Sequence, residues 1–135
     1  MATGRRMSPL HHAFDLDKPL YTISIASEIL QTHPRTLMLY EDVGLIAPFR
    51  TSTNRRRYSQ RDLRKLQVIQ YLTREKGVNL AGVSYVLDLF GALAQAQGDP
   101  PESLREAYAR YAEIAEEEAR EQSPHANEGQ AERRA

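Results

Sequence analysis

The side chains best suited to chemistry in this chain are cationic. Arg55-Arg56-Arg57 is followed at once by Tyr58, and Arg50 stands a few residues before them. Guanidinium forks match phosphate oxygens, and a tyrosine hydroxyl adds a neutral donor, so such a run on a hairpin can contact successive backbone phosphates. Taken alone, the run reads equally well as a solvated turn with one packed tyrosine. A second set, Arg35, Thr36 and Tyr40, falls on the second of two short helical segments joined by a tight turn, the pattern of a helix-turn-helix. Beside that motif the nucleic-acid reading of the arginines prevails.

Catalysis finds no comparable set. The histidines are His11, His12, His33 and His125, none with a carboxylate or a second histidine at metal-ligand helical spacing. There is no nucleophile elbow and no phosphate-cradling glycine loop. With no cysteine, disulfide and thiolate chemistry are excluded. The expectation is a protein that is not an enzyme, with no cofactor and no metal.

The elements that must position the arginines can be read from punctuation. A first helix is expected from near Ser24, with Ile25, Ala26, Ile29 and Leu30 on one face. After a break at Gln31-Thr32-His33, a second starts at Pro34, a residue suited to the first helical position, and stops before Gly44. Phe49 to Tyr58 reads as a two-stranded hairpin around the turn-forming Ser52-Thr53-Asn54. Ser59 and Asp62 have capping-box spacing and open a third helix to about Lys76, stopped by Gly77. Asn79 caps a fourth, with Leu80, Val83, Leu87, Phe90 and Ala94 at helical spacing, ended by Gly98. Asp99-Pro100-Pro101-Glu102 predicts a fifth, to about Gln122. Its narrow stripe of Leu104, Tyr108, Tyr111 and Ala115, with Ile114 beside it, has coiled-coil spacing and suggests a homodimer. The alternative is that the stripe folds back on the third and fourth helices.

Residues 1–19 are expected to be a disordered arm, 20–98 the DNA-binding domain, 99–122 the dimerisation helix and 123–135 a disordered tail. The formal net charge of zero hides a segregation. From His33 to Lys76 there are ten Arg/Lys against four Asp/Glu, and from Asp99 to Glu132 three against ten. Only the first stretch suits a polyanion. The 135 residues, 41% hydrophobic and 27% charged, contain no apolar run of membrane-spanning length, and no signal peptide is expected, since no apolar core follows the basic residues of Met1 to Leu10. A cytoplasmic protein with no membrane partner is expected.

Tyr21-Thr22-Ile23-Ser24, Thr36-Leu37-Met38-Leu39-Tyr40-Glu41, Val43-Gly44-Leu45-Ile46, Pro48-x-Arg50 and Arg56-Arg57-Tyr58-Ser59, in that order and spacing, resemble MerR-type regulators. The resemblance implies a mainly α fold: a winged helix-turn-helix with a small β-hairpin wing, followed by a C-terminal dimerisation helix. Its implied DNA contacts are Arg35, Thr36, Tyr40, Arg50, Arg55, Arg56, Arg57 and Tyr58. His33-Pro34-x-Thr36-Leu37 and Gly77-Val78-Asn79-Leu80-Ala81-Gly82-Val83 are similar to the HspR-type heat-shock repressors within the family. That subgroup implies repression of chaperone genes from an inverted-repeat operator, as a homodimer associated with the bacterial nucleoid, with the chaperone DnaK as co-repressor and no small-molecule ligand. One departure stands out: Met38 occupies a position that usually carries an arginine, and Leu39 one that is often polar. These two apolar residues either face the core or touch a thymine methyl. A MerR-type activator, an architectural DNA-binding protein and a protein-interaction module remain alternatives.

Overall fold

A computed structural model of the chain describes residues 15–115. These fall into two compact units, one reaching to Gln67 and the other starting at Val68.

The first unit opens with β1 (Tyr21–Thr22) and passes directly into α1 (Ile23–Leu30). The N-cap is Thr22, whose Oγ1 accepts the Ile25 N–H at 3.2 Å; Ser24, the expected cap, lies inside the first turn. Gln31 closes α1 in the left-handed conformation, φ 53°. After the three-residue break, α2 (Pro34–Asp42) starts with proline at the expected place, capped by His33, whose Nδ1 accepts the Arg35 N–H at 3.0 Å. Gly44, at φ 83°, takes the chain out of α2 in a conformation that disfavours any side chain.

The hairpin forms as β2 (Phe49–Arg50) and β3 (Arg56–Tyr58). Asn54, at φ 64°, takes the left-handed position of its loop, where Asn is tolerated. β1 adds a third strand, giving an antiparallel sheet in the order β1-β3-β2. Tyr21 pairs with Tyr58, Thr22 and Phe49 both pair with Arg57, and Arg50 pairs with Arg56. Two residues are too short for an alternation signal, which is why β1 is invisible in the sequence. Ala26, Leu30, Leu37, Tyr40, Leu45, Ile46, Tyr58, Leu63 and Leu66 form the core. Within residues 15–19, placed by the sequence in the disordered arm, two side chains are anchored to the domain while Asp15 and Lys18 stay exposed. Leu16 is buried, its carbonyl accepts the Arg61 N–H at 3.0 Å, and the Asp17 carboxylate pairs with Arg61 Nε at 2.8 Å. The rest of the arm, with His11 and His12, lies outside the described residues.

α3 (Gln60–Gln70) runs from the first unit into the second. Its capping box is reciprocal: Asp62 N–H donates to Ser59 Oγ and Ser59 N–H to the Asp62 carboxylate, both at 3.0 Å. The helix extends toward Lys76 as expected, but its last turn, Tyr71–Glu75, is π-helical. Gly77 ends it at φ 67°.

In the second unit, α4 (Leu80–Ala96) is capped as predicted, Asn79 Oδ1 accepting the Gly82 N–H at 2.8 Å. It buries Val83 and Phe90 and leaves Tyr85 and Leu89 exposed. The expected Asp99 cap does not form. A 3-10 turn, Glu102–Leu104, follows Pro101 without any side-chain cap, and α5 begins only at 105. α5 is described over 105–115, so its extension to Gln122, the tail and His125 lie outside the described residues.

The stripe expected to face a second copy is half-buried within the protomer at all five positions, Leu104, Tyr108, Tyr111, Ile114 and Ala115. Tyr108 meets the Phe90 ring edge-on at 5.2 Å between centroids, Tyr111 lies at 5.5 Å, and the Arg110 guanidinium sits 4.5 Å over Tyr71. The folding-back alternative accounts for these contacts.

Candidate nucleic-acid interface

On α2, the helical period divides the expected residues. Leu37 and Tyr40, three apart, point into the core, and Tyr40 is only 7% exposed. Its ring therefore belongs to the packing of α2 rather than to the surface a duplex would meet. Arg35 is exposed, and its guanidinium has no partner among the described residues. Thr36 and Met38 are half-buried, whereas Leu39 and Val43 are about half exposed. A shallow depression along this side of α2 is lined by His33, Arg35, Thr36, Met38, Leu39 and Asp42.

Strand alternation does the same to the hairpin. Opposed residues in an antiparallel sheet share a face, and successive residues alternate. Arg50, Arg56 and Tyr58 are therefore on the inner face, Arg57 and Phe49 on the outer. Consecutive arginines thus do different work, which a reading of the run as three successive phosphate contacts misses.

The inner pair converges on Glu41, near the C-terminal end of α2. Arg56 Nε donates to Glu41 Oε1 at 2.6 Å and Arg50 Nη2 to Oε2 at 3.0 Å. Burial works against the Glu41 charge, but the hydrogen bonds from Arg56 and then Arg50 outweigh it and hold the carboxyl below its ordinary value. The same bond pushes the Arg56 guanidinium up. One carboxylate thus ties the wing to α2 and neutralises charge that the sequence assigned to phosphates.

Tyr58 is fully buried. Burial pushes its hydroxyl up to about 12, and the oxygen has no hydrogen-bond partner among the described residues. As placed, it offers nothing to a ligand, which corrects the expectation of a phosphate donor. Arg55 at the hairpin end is exposed, and Arg57 is half-buried with Nη1 on the Arg56 carbonyl at 3.1 Å. Of the arginines expected to touch DNA, Arg35, Arg55 and Arg57 are turned outward.

Sequence reasoning passed over Glu41. The available signal was its position: an acid at the carboxyl end of a helix, where the macrodipole disfavours it, inside a strongly basic stretch. Among the described residues no cluster of His, Asp and Glu could hold a metal, and no helix is long and apolar enough to cross a membrane.

A two-helix motif followed by a clamped wing matches, over residues 21–89, the family model described as MerR HTH family regulatory protein. The chain belongs to this family. As a MerR-type chain it has relatives among curated proteins. It is 39% identical over 94 residues to heat shock protein HspR of Streptomyces coelicolor, covering 70% of this chain and 61% of that protein. It is also 39% identical over 69 residues to the HTH-type transcriptional regulator GlnR of Bacillus anthracis and of Bacillus cereus, covering 51% of this chain and 53% of each relative. The chain therefore spans between about half and three-fifths of the length of these relatives. Membership of a family of regulatory proteins agrees with a surface that gathers arginines around α2 and the hairpin.

Proposed function

We propose that this MerR-type chain is a sequence-specific DNA-binding repressor of heat-shock and chaperone genes, binding an inverted-repeat operator as a homodimer. The α2 surface around Arg35 and Thr36 enters the major groove, and the wing contacts the flanking backbone through Arg55 and Arg57. Arg50 and Arg56 serve the interface indirectly, by fixing the wing through Glu41. A two-fold dimer presents two like recognition helices, so its site has two half-sites in opposite orientation. The co-repressor proposed is the chaperone DnaK, whose free level reports protein-folding load.

The observation favouring the heat-shock reading is the extent of likeness. At equal identity, the match to HspR runs over 94 residues and that to GlnR over 69. The shorter match has the same length as the stretch covered by the family model. The test is to map bound DNA across the genome before and after heat shock, with transcript levels in a deletion strain at normal temperature. Binding upstream of chaperone genes that falls on heat shock, with chaperone messages raised in the deletion strain, is expected. Lowered messages would make the protein an activator, and binding without sequence preference an architectural protein; either result refutes the proposal.

A further inference from the structure

The outer face of the wing carries one residue that neither the packing of the fold nor phosphate chemistry uses. Phe49 is 56% exposed on β2, directly paired with Arg57 on β3. Its neighbours hold it in place. Pro48 before it is buried, and Arg50 after it is tied to Glu41 at 3.0 Å. The ring therefore stands on a fixed backbone, with only two side-chain torsions to lose on binding. A large aromatic left in water costs free energy, yet this one is flanked across the strand by Arg57, with exposed Arg55 at the end of the same hairpin. An apolar ring beside cations suits a partner that is anionic outside and apolar within. Duplex DNA has that chemistry: phosphates rim the minor groove, and sugars and base edges form its walls. A purely acidic protein surface, without an apolar pocket, would satisfy the arginines but not the ring.

We propose that Phe49 is a non-ionic nucleic-acid contact that packs into the minor groove of duplex DNA while Arg57 pairs with the groove and its phosphates. The inference rests on the DNA-binding reading above and adds to it a contact whose free energy does not come from counterion release. Its signature is therefore separable. An arginine–phosphate contact contributes to the slope of log affinity against log salt, by about 0.9 per contact, whereas an apolar contact shifts affinity equally at every salt concentration.

The experiment uses the full chain and a duplex enriched from a random-sequence pool by the unmodified protein, titrated from low to physiological salt. Phe49→Ala is expected to weaken binding about five- to fiftyfold at every salt concentration, with an unchanged slope. Phe49→Leu is expected to retain part of the affinity, and Arg57→Ala to flatten the slope. Thermal melting verifies that the variants stay folded, as expected for a half-exposed position. A Phe49→Ala titration that superposes on the unmodified protein's overturns the proposal and leaves the ring to a protein partner. A flattened slope in that variant also overturns it, since Phe49 would then act only by placing Arg57. Failure of the unmodified protein to enrich any duplex refutes the DNA-binding reading itself, and the proposal with it.

Discussion

Glu41→Ala is the most informative single perturbation, because one carboxylate serves two guanidinium groups. Its side chain and that of Arg56 are only 20% and 21% exposed, and the bond between them is 2.6 Å. Removing the acid leaves Arg56 half-buried without a counterion, at about 1.5–2.5 kcal/mol for a charge-assisted hydrogen bond in partial burial. Arg50 is 36% exposed, so solvent screening reduces its share to about 0.5 kcal/mol. Together the loss is about 2–3 kcal/mol, a fall in Tm of about 10–20 °C for a domain of this size.

The pH dependence of Glu41 has a definite sign. Its folded pKa lies below the ordinary carboxylate value, so its stabilisation is present above the unfolded value and is lost as pH falls through the folded one. Melting followed by circular dichroism between pH 3 and pH 8 is the assay, on the unmodified protein and on Glu41→Ala. The gap between them is expected to be constant from about pH 6 upward and to close in acid, below about pH 4. Equal stability at pH 7, or a gap that widens in acid, refutes the clamp.

Arg55→Ala and Arg57→Ala are each expected to flatten the salt dependence of DNA binding by about 0.9, whereas Arg56→Ala lowers Tm and leaves the slope nearly unchanged; equal slopes for Arg55→Ala, Arg57→Ala and the unmodified protein would remove the outward cations from the interface. Tyr58→Phe removes a buried hydroxyl with no partner among the described residues, so stability is expected to hold or rise by up to about 1.5 kcal/mol, with DNA affinity unchanged. Because burial raises the Tyr58 pKa from 10.0 to about 12, the unmodified protein should lose stability relative to that variant as pH rises above 10, readable in alkaline melts. Asn79→Ala deletes the N-cap of α4 and is expected to cost about 1 kcal/mol in urea unfolding. Gly77→Ala meets nothing within 4 Å of the new methyl but must adopt φ 67°, so about 1 kcal/mol of backbone strain alone is expected in the same assay.

What the sequence reveals follows from how far each signal reaches along the chain. Pro34, the Ser59–Asp62 box and the Asn79 cap are local devices whose partners lie within three residues, and each stands where it was read. β1 escaped notice because a strand of two residues has no period. The sorting of Arg56 inward and Arg57 outward depends on which strand lies opposite, information held by Thr22, Phe49 and Arg50 on other segments. Tyr40 and Tyr58 are amphipathic side chains, and only the closed fold shows that both are used for packing. The aromatic stripe of α5 carries a period but no indication of its partner, so its use against Phe90 required the three-dimensional packing.

The clamp at Glu41 also bears on how such a regulator can change its target over evolutionary time. Because positions 41, 50 and 56 anchor the wing from the inside, the outward set at 35, 49, 55 and 57 is free to drift without unseating the hairpin. If the outer set reads DNA as proposed, a lineage acquiring a new target sequence should alter it one residue at a time, each step passing through a folded protein. The inner three should behave as a single heritable unit: loss of the acid strands two charges at once, so a viable change there has to be made in concert.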